Sequence, residues 1–134
     1  MKQRTLVLLS VAVAVFAMAA CSRPPPLGGR WIVDIGVTIV AAEEAGIPDE
    51  LAPRIRDIYD GGQLEITRDT LVMRVAGYPE AISRNYKVVS TTGHCHGLEI
   101  NGAPGVHEYC IENGRLTVED PSARFAVVYR EASR

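Results

Sequence analysis

Apolar and polar residues alternate with period two along most of the chain. The alternation begins at Trp31, is interrupted once, and resumes after Asp60-Gly61-Gly62. Turn-forming residues separate the alternating runs about every 8 to 12 residues, a spacing typical of a β-meander that closes into a barrel or a sandwich. The pattern predicts eight strands, at residues 31–36, 63–67, 70–76, 81–89, 94–100, 106–112, 115–119 and 124–130.

Residues 38–60 interrupt the strands with a helical pattern. An alanine-rich first helix can end at Gly46, and a second helix can begin at Pro48 or Asp49. The second helix carries apolar residues at spacings of four and three, on one face: Leu51, Ile55 and Ile58. The expected fold is therefore mainly β, a small eight-stranded antiparallel meander barrel with a helical hairpin inserted after strand 1.

The first 21 residues have the pattern of an export signal. Lys2 and Arg4 precede an apolar run from Leu6 to Ala20, which is short of the roughly 20 residues that a spanning helix needs. The run ends in small residues beside Cys21. Residues 1–20 are therefore expected to be removed as a signal peptide.

The segment Met18-Ala19-Ala20-Cys21 resembles the bacterial lipobox, whose usual form is Leu-Ala-Gly/Ala-Cys. The resemblance implies cleavage before Cys21, a diacylglycerol on its sulfur and an acyl chain on its amine, which together make a stable membrane anchor. Ser22, rather than an aspartate, implies the outer membrane, with the domain facing the periplasm. The alternative is an ordinary signal peptide that ends at a chance cysteine.

Beyond residue 20 the chain is long enough for one small domain. Residues 21–29 are interpreted as the lipidated cysteine and a Pro/Gly tether, and residues 30–134 as the domain. Without Lys2 and Arg4, 12 of the 14 basic residues remain against 16 acidic ones, a net charge of about −4. No basic stripe is present, so nucleic acid is not an expected partner.

The remaining cysteines, Cys95 and Cys110, are expected to form a disulfide in an oxidising compartment. Asn113-Gly114 predicts a two-residue hairpin turn, which places Tyr109 on the core face and Cys110 outside. If the two cysteines lie directly opposite each other, any two residues that oppose each other on these two strands have numbers that sum to 205. All three histidines then share the apolar face.

In the preceding strand the even-numbered residues are expected to face inward, Arg84 and Tyr86 among them. Together with the register, this suggests a candidate ligand site of six residues: Arg84, Tyr86, His94, His96, His107 and Tyr109. An arginine on an apolar face needs a charged partner, and a ligand carboxylate or phosphate would satisfy it. The alternative is that Arg84 reaches water near a strand end, one histidine is hydrogen-bonded in the core, and the others line an open rim.

The same histidines could instead hold zinc or copper through His94, His96 and His107. Glu99 and Glu108 alternate with the histidines along their strands and so face the other side of the sheet. No carboxylate is therefore an obvious further ligand, and no cofactor is expected. No serine lies in a nucleophile-elbow context and no glycine-rich phosphate loop is present. The chain is therefore not expected to be an enzyme.

Gly29-Arg30-Trp31 matches the Gly-x-Trp that opens the first strand of lipocalins, and Arg130 ends the last strand, where lipocalins place a basic residue over that tryptophan. Over residues 29–130 the chain thus resembles a lipocalin-like (calycin) barrel. The helical hairpin is similar to the lid of fatty-acid-binding proteins, which have ten strands.

Three functions are compatible with a membrane-anchored barrel of this kind. The first is binding of a small amphipathic or anionic ligand in the barrel or at its mouth. The second is a protein-interaction module, such as an envelope hydrolase inhibitor, with contacts on the rim loops Gly77–Glu80 and Asn101–Gly105. The third is a structural lipoprotein with no separable activity.

Overall fold

The computed structural model describes residues 26–132, which form a closed antiparallel barrel. Each strand pairs with its neighbours in sequence, and β8 closes the barrel on β1. The strands are β1 (Gly29–Val33), β2 (Gln63–Ile66), β3 (Thr70–Arg74), β4 (Ile82–Thr92), β5 (Cys95–Ile100), β6 (Ala103–Glu112), β7 (Arg115–Glu119) and β8 (Val127–Glu131). The predicted eight-stranded barrel is confirmed. The signal segment and Cys21 lie outside the described residues.

The predicted helical insertion after strand 1 is also confirmed. It comprises α1 (Ile35–Glu44), a single 3₁₀ turn (Asp49–Leu51) and α2 (Ala52–Tyr59). The insertion begins earlier than expected because Asp34 caps α1, its carboxylate accepting a hydrogen bond of 3.3 Å from the Val37 backbone N–H. Ile35, which the alternation assigned to the first strand, is therefore the first residue of the helix.

Thr38 joins α1 to the barrel at the point where β1 stops pairing with β8. Its side chain is fully buried; the hydroxyl donates to the Val128 carbonyl at 3.2 Å and accepts from the Val128 N–H at 3.0 Å. The backbone N–H of Asp34 also donates to that carbonyl, at 2.8 Å. The last β1–β8 pair is Val33 with Tyr129, so α1 satisfies backbone groups that a longer β1 would have paired.

A cluster of buried side chains lies inside the barrel. Its buried members are Trp31, Leu64, Ile66, Leu71, Tyr86, Leu98, Tyr109 and Leu116. Leu27 packs against this cluster, and the Gly28 carbonyl accepts a hydrogen bond of 3.3 Å from Trp31 Nε1. The chain thus joins the domain at Leu27, within the segment 21–29 that the sequence assigned to the tether.

A second, smaller core lies between the helices and the segment that leads into β8. Its buried residues are Ile39, Ala42 and Ile55, and Phe125 packs on them with its ring 5.8 Å from that of Tyr59. The sequence placed Phe125 on an inward-facing strand; it instead precedes β8, which begins at Val127. On the predicted apolar face of α2, Ile55 alone is buried, whereas Leu51 and Ile58 are exposed.

The longest strand, β4, extends past its neighbour β3. Pairing with β3 ends at Asn85, and the Tyr86 N–H makes the last bond on that side, to the Asp69 carbonyl at 3.0 Å. From Tyr86 to Thr92 the strand pairs with β5, with a bulge between Val88 and Ser90. We call residues Lys87–Thr92 the β4 overhang.

Candidate functional site

The predicted disulfide and its register are both present. Cys95 and Cys110 are bonded and lie directly opposite each other, and the same register pairs His96 with Tyr109 and Leu98 with His107. The Ile111 N–H donates to the His94 carbonyl at 3.0 Å, which makes the cysteines a non-hydrogen-bonded pair. Side chains at such pairs approach most closely, so a disulfide fits between them.

The structure divides the six candidate residues into two groups. Tyr86, His96, His107 and Tyr109 are buried, whereas Arg84 and His94 are exposed. Arg84 lies opposite Leu71, as its parity predicted, but its guanidinium extends beside Gly102 in the β5–β6 turn. His94 precedes β5, in the turn after the overhang. The expectation that both face a buried interior is therefore wrong. The Arg84 side chain extends beside one turn and His94 lies in another, so both side chains reach solvent.

Tyr86 has a structural role at the junction of β3 and β4. Its hydroxyl donates to the Thr67 carbonyl at 2.5 Å. Burial, followed by the nearby negative charge of Asp69, raises the pKa of the Tyr86 phenol. The residue thus ties the β2–β3 turn to β4.

His107 has a carboxylate neighbour that the sequence reasoning missed. The ring is 4% exposed, and its Nδ1 lies 3.8 Å from Asp120 Oδ2. Within residues 26–132, Nε2 has no hydrogen-bond partner. The register set by the Asn113-Gly114 turn, which pairs Tyr109 with Val118, places Asp120 opposite His107 when it is continued past the end of β7. That continuation was the signal available in the sequence.

Asp120 is held in the β7–β8 loop by Ser122. One carboxylate oxygen accepts hydrogen bonds of 2.8 Å from both the backbone N–H and the hydroxyl of Ser122. Burial raises the pKa of Asp120, but these bonds and the neighbouring His107 outweigh that effect, so the pKa is lowered. Asp120 is therefore placed to keep its charge beside His107.

Two further tyrosines give the interior a polar component. Burial, followed by the neighbouring Tyr129, Asp120 and Tyr86, raises the pKa of Tyr109. Burial, followed by Tyr59, raises the pKa of Tyr129 to about 12. Both phenols therefore remain neutral at physiological pH, and neither is poised for acid–base chemistry.

The three histidines do not form a ready-made metal site. Within the described part of the chain, one set of three metal-ligating residues has its donor atoms within 4.8 Å of one another: Cys95, Glu108 and Cys110. The two sulfurs of that set are consumed by the disulfide. His94, His96 and His107 form no such set, so the structure does not bring the proposed zinc or copper ligands together.

A surface cleft of about 610 Å³ lies at the root of the β4 overhang. It is lined by Asp69, Asn85, Tyr86, Lys87, Glu99, Ile100, Asn101 and Gly102. A second cleft, of about 510 Å³, lies between the end of α1 and the β7–β8 loop, with Asp120 and Phe125 in its wall. Both open to solvent, whereas the barrel interior is occupied by the core cluster.

The β4 overhang presents a free backbone edge. The Tyr86 N–H faces β3, and the Asn85 carbonyl accepts from Asn101 on the other side, so by alternation Lys87 faces β5 and Val88 faces away from it. Beyond the bulge, Ser90 and Thr92 lie opposite Gly97 and Cys95, which leaves Thr91 on the free side. No strand within residues 26–132 pairs with that side.

Comparison with known proteins found no match among family models, curated proteins or solved structures. The lipocalin resemblance implied that Arg130 lies over Trp31. In the structure Arg130 lies opposite Ile32 and Arg115, on the outer face of the barrel, whereas Trp31 is buried in the core. None of the helices between residues 26 and 132 is both long enough and apolar enough to cross a bilayer.

Proposed function

We propose that the protein is a non-catalytic binding module, anchored by lipid on Cys21 to the outer membrane of a bacterial envelope. Its ligand in this proposal is an extended segment of another envelope protein, which adds as a strand to the free edge of the β4 overhang. The observation that carries the proposal is that, among the strands of residues 26–132, Lys87–Thr92 pair with β5 and with no other.

An unpaired strand edge is a template for a further strand. Val88 and Thr91 direct their backbone N–H and C=O groups to the free side, and an added segment would satisfy these groups with main-chain hydrogen bonds. Val88 and Val89 are each 47% exposed, so the same segment would also cover apolar surface. The cleft at the root of the overhang offers room for one of its side chains.

The topology favours a partner at the membrane surface. Strands alternate in direction, so the end of β4 and the start of β1 lie at the same end of the barrel. Five residues lie between Cys21 and Leu27, so the six Cα–Cα steps span at most about 21 Å. A lipid on Cys21 would therefore hold the overhang close to the bilayer.

A second copy of the chain fits this edge less well. Self-pairing of one strand about a two-fold axis is antiparallel and reverses one barrel relative to the other. The lipid-bearing ends of the two copies would then point in opposite directions, which two short tethers in one membrane do not allow. The added strand is accordingly assigned to a different protein.

The experiment places a photoreactive residue at Val89 in the full-length protein and irradiates intact cells. We expect a discrete crosslinked adduct that is lost when Val88→Pro is added and retained with Val88→Thr. Proline removes the free-side N–H while sparing the ladder to β5, and threonine keeps both the N–H and the β-branched shape. An adduct that survives Val88→Pro in a folded variant contradicts the proposal.

A small anionic ligand is the second candidate, favoured by the position of Arg84. Its guanidinium lies beside Gly102, which together with Lys87 lines the cleft at the root of the overhang. A carboxylate or phosphate in the cleft would be within reach of both cations. Calorimetric titration with a fatty acid and with inorganic phosphate, on the wild type and on Arg84→Met, tests this. Equal binding by the two proteins contradicts it.

A further inference from the structure

The outer face of β5, β6 and β7 carries a set of donor atoms that the proposed function does not use. Cys95 and Cys110 lie opposite each other, and Glu108 is two residues before Cys110 on the same face. A Glu108 carboxylate oxygen is 3.4 Å from the Cys110 sulfur. The three donor atoms lie within 4.8 Å of one another.

A second carboxylate lies beside this set. Glu119 on β7 is directly opposite Glu108, and both side chains are exposed. Like charges at directly opposed positions destabilise a sheet, and a bound cation removes that repulsion. The other positions of these two cross-strand rows are neutral: Thr92 and Thr117 flank the cysteines, and Ser90 and Gly97 precede Glu108. No lysine or arginine in the two rows offsets the carboxylates.

We propose that reduction of the Cys95–Cys110 disulfide creates a site for a thiophilic divalent cation, with Zn²⁺ as the best fit. The ligands are the two thiolates and the Glu108 carboxylate, and Glu119 adds a neighbouring negative charge. Two sulfurs with a carboxylate are ligands that Zn²⁺ accepts in a tetrahedral site, whereas Mg²⁺ and Ca²⁺ require oxygen ligands. The fourth position is left for water.

The chemistry balances with an external dithiol as the reductant. One of its sulfurs attacks the Cys95–Cys110 bond to form a mixed disulfide, and its second sulfur displaces the protein sulfur. The dithiol is oxidised to a disulfide, and each protein cysteine ends as a thiol. Zn²⁺ then replaces the two thiol protons, which pass to solvent. Disulfide and metal are therefore alternative states of the same two sulfurs.

The position of the set allows the exchange without rebuilding the core. Both cysteines are on the outer face of the barrel, half-buried, while their neighbours His96 and Tyr109 point inward. The sulfurs can thus separate by side-chain rotation to accommodate a metal between them. The ladder of β5 and β6 on either side of the cysteines holds the two strands in register.

The test uses the whole protein after reduction with a dithiol, removal of the reductant and exclusion of oxygen. Co²⁺ serves as the spectroscopic probe and is then displaced by Zn²⁺. We expect one equivalent of Co²⁺ with thiolate-to-metal charge-transfer absorption, and affinity at least about tenfold weaker in Glu108→Gln. Glu112→Gln is the matched control, because Glu112 is on the same face of β6 but opposite Arg115, and it should bind as the wild type does.

Three results would overturn the proposal: no thiolate absorption with Co²⁺, equal affinity in Glu108→Gln and wild type, or equally tight binding by the oxidised protein. If reduction unfolds the chain, the readout becomes the β-sheet circular dichroism. Zn²⁺ is then expected to restore it in the wild type and in Glu112→Gln, at a concentration that leaves Glu108→Gln unfolded. Equal recovery in all three proteins would contradict the assigned ligands.

Discussion

Replacement of Thr38 by valine should loosen the attachment of α1 to the barrel. Valine nearly matches the shape of threonine but removes the hydroxyl that both donates to and accepts from the Val128 backbone. The Val128 carbonyl keeps its bond from the Asp34 N–H, whereas the Val128 N–H loses the Thr38 oxygen. Because Thr38 and Val128 are buried, water cannot readily replace that bond.

The expected cost follows from this one orphaned donor. Leaving a buried donor unsatisfied costs about 1 to 3 kcal/mol of the free energy of unfolding. Urea denaturation with the disulfide intact measures the loss, and each kcal/mol should lower Tm by about 4 to 8 °C. Thr38→Ser is the control: it keeps the hydroxyl and loses one methyl group, at a cost of about 1 kcal/mol. The reasoning is refuted if Thr38→Val costs less than about 1 kcal/mol, the lower limit for an unsatisfied buried donor.

Three further predictions concern the anchor, the disulfide and the buried phenols. Cys21→Ser should move the protein from the membrane to the soluble fraction on fractionation, and its persistence in the membrane would contradict lipidation. Replacing Cys95 and Cys110 together by serine should cost about 3 kcal/mol in urea unfolding, because the bridge closes a loop with a sequence separation of 15 residues; an unchanged midpoint would contradict this. The Tyr129 pKa of about 12 lies above the value of about 10 for an unfolded tyrosine, so its contribution to stability is complete below pH about 10 and is lost as pH rises toward 12. Ionisation of Tyr129 in the folded protein at or below pH about 10, followed by tyrosinate absorbance, would contradict that sign.

In this fold the sequence predicts which residues lie opposite each other on neighbouring strands more reliably than it predicts how deeply each side chain is buried. A two-residue turn at Asn113-Gly114 and one cysteine pair define the register of β5, β6 and β7, because a side-chain period of two leaves each residue a single face. Parity gives the direction of a Cβ atom but not the distance to water. Arg84 has the predicted face, yet it lies near a turn where its long side chain reaches solvent.

Features that depend on the relative lengths of strands could not be predicted in the same way. The β4 overhang exists because β3 begins at Thr70, which pairs with Asn85, whereas β4 continues to Thr92. The bulge at Val89 then shifts the pairing with β5, and nothing local in the alternation marks it. Asp120 was missed because it follows the last residue of β7, although the β6–β7 register continued by one residue places it opposite His107.

Residue-resolved amide hydrogen exchange on the isolated protein tests the free edge of the β4 overhang most directly. Tyr86 bonds to Asp69 and Lys87 faces Glu99 of β5, so both amides should be protected. Val88 and Thr91 face the side on which residues 26–132 supply no strand, and their amides should exchange rapidly. Protection of Val88 equal to that of Tyr86 and Lys87 would mean that the edge is already occupied, and would contradict the proposed binding surface.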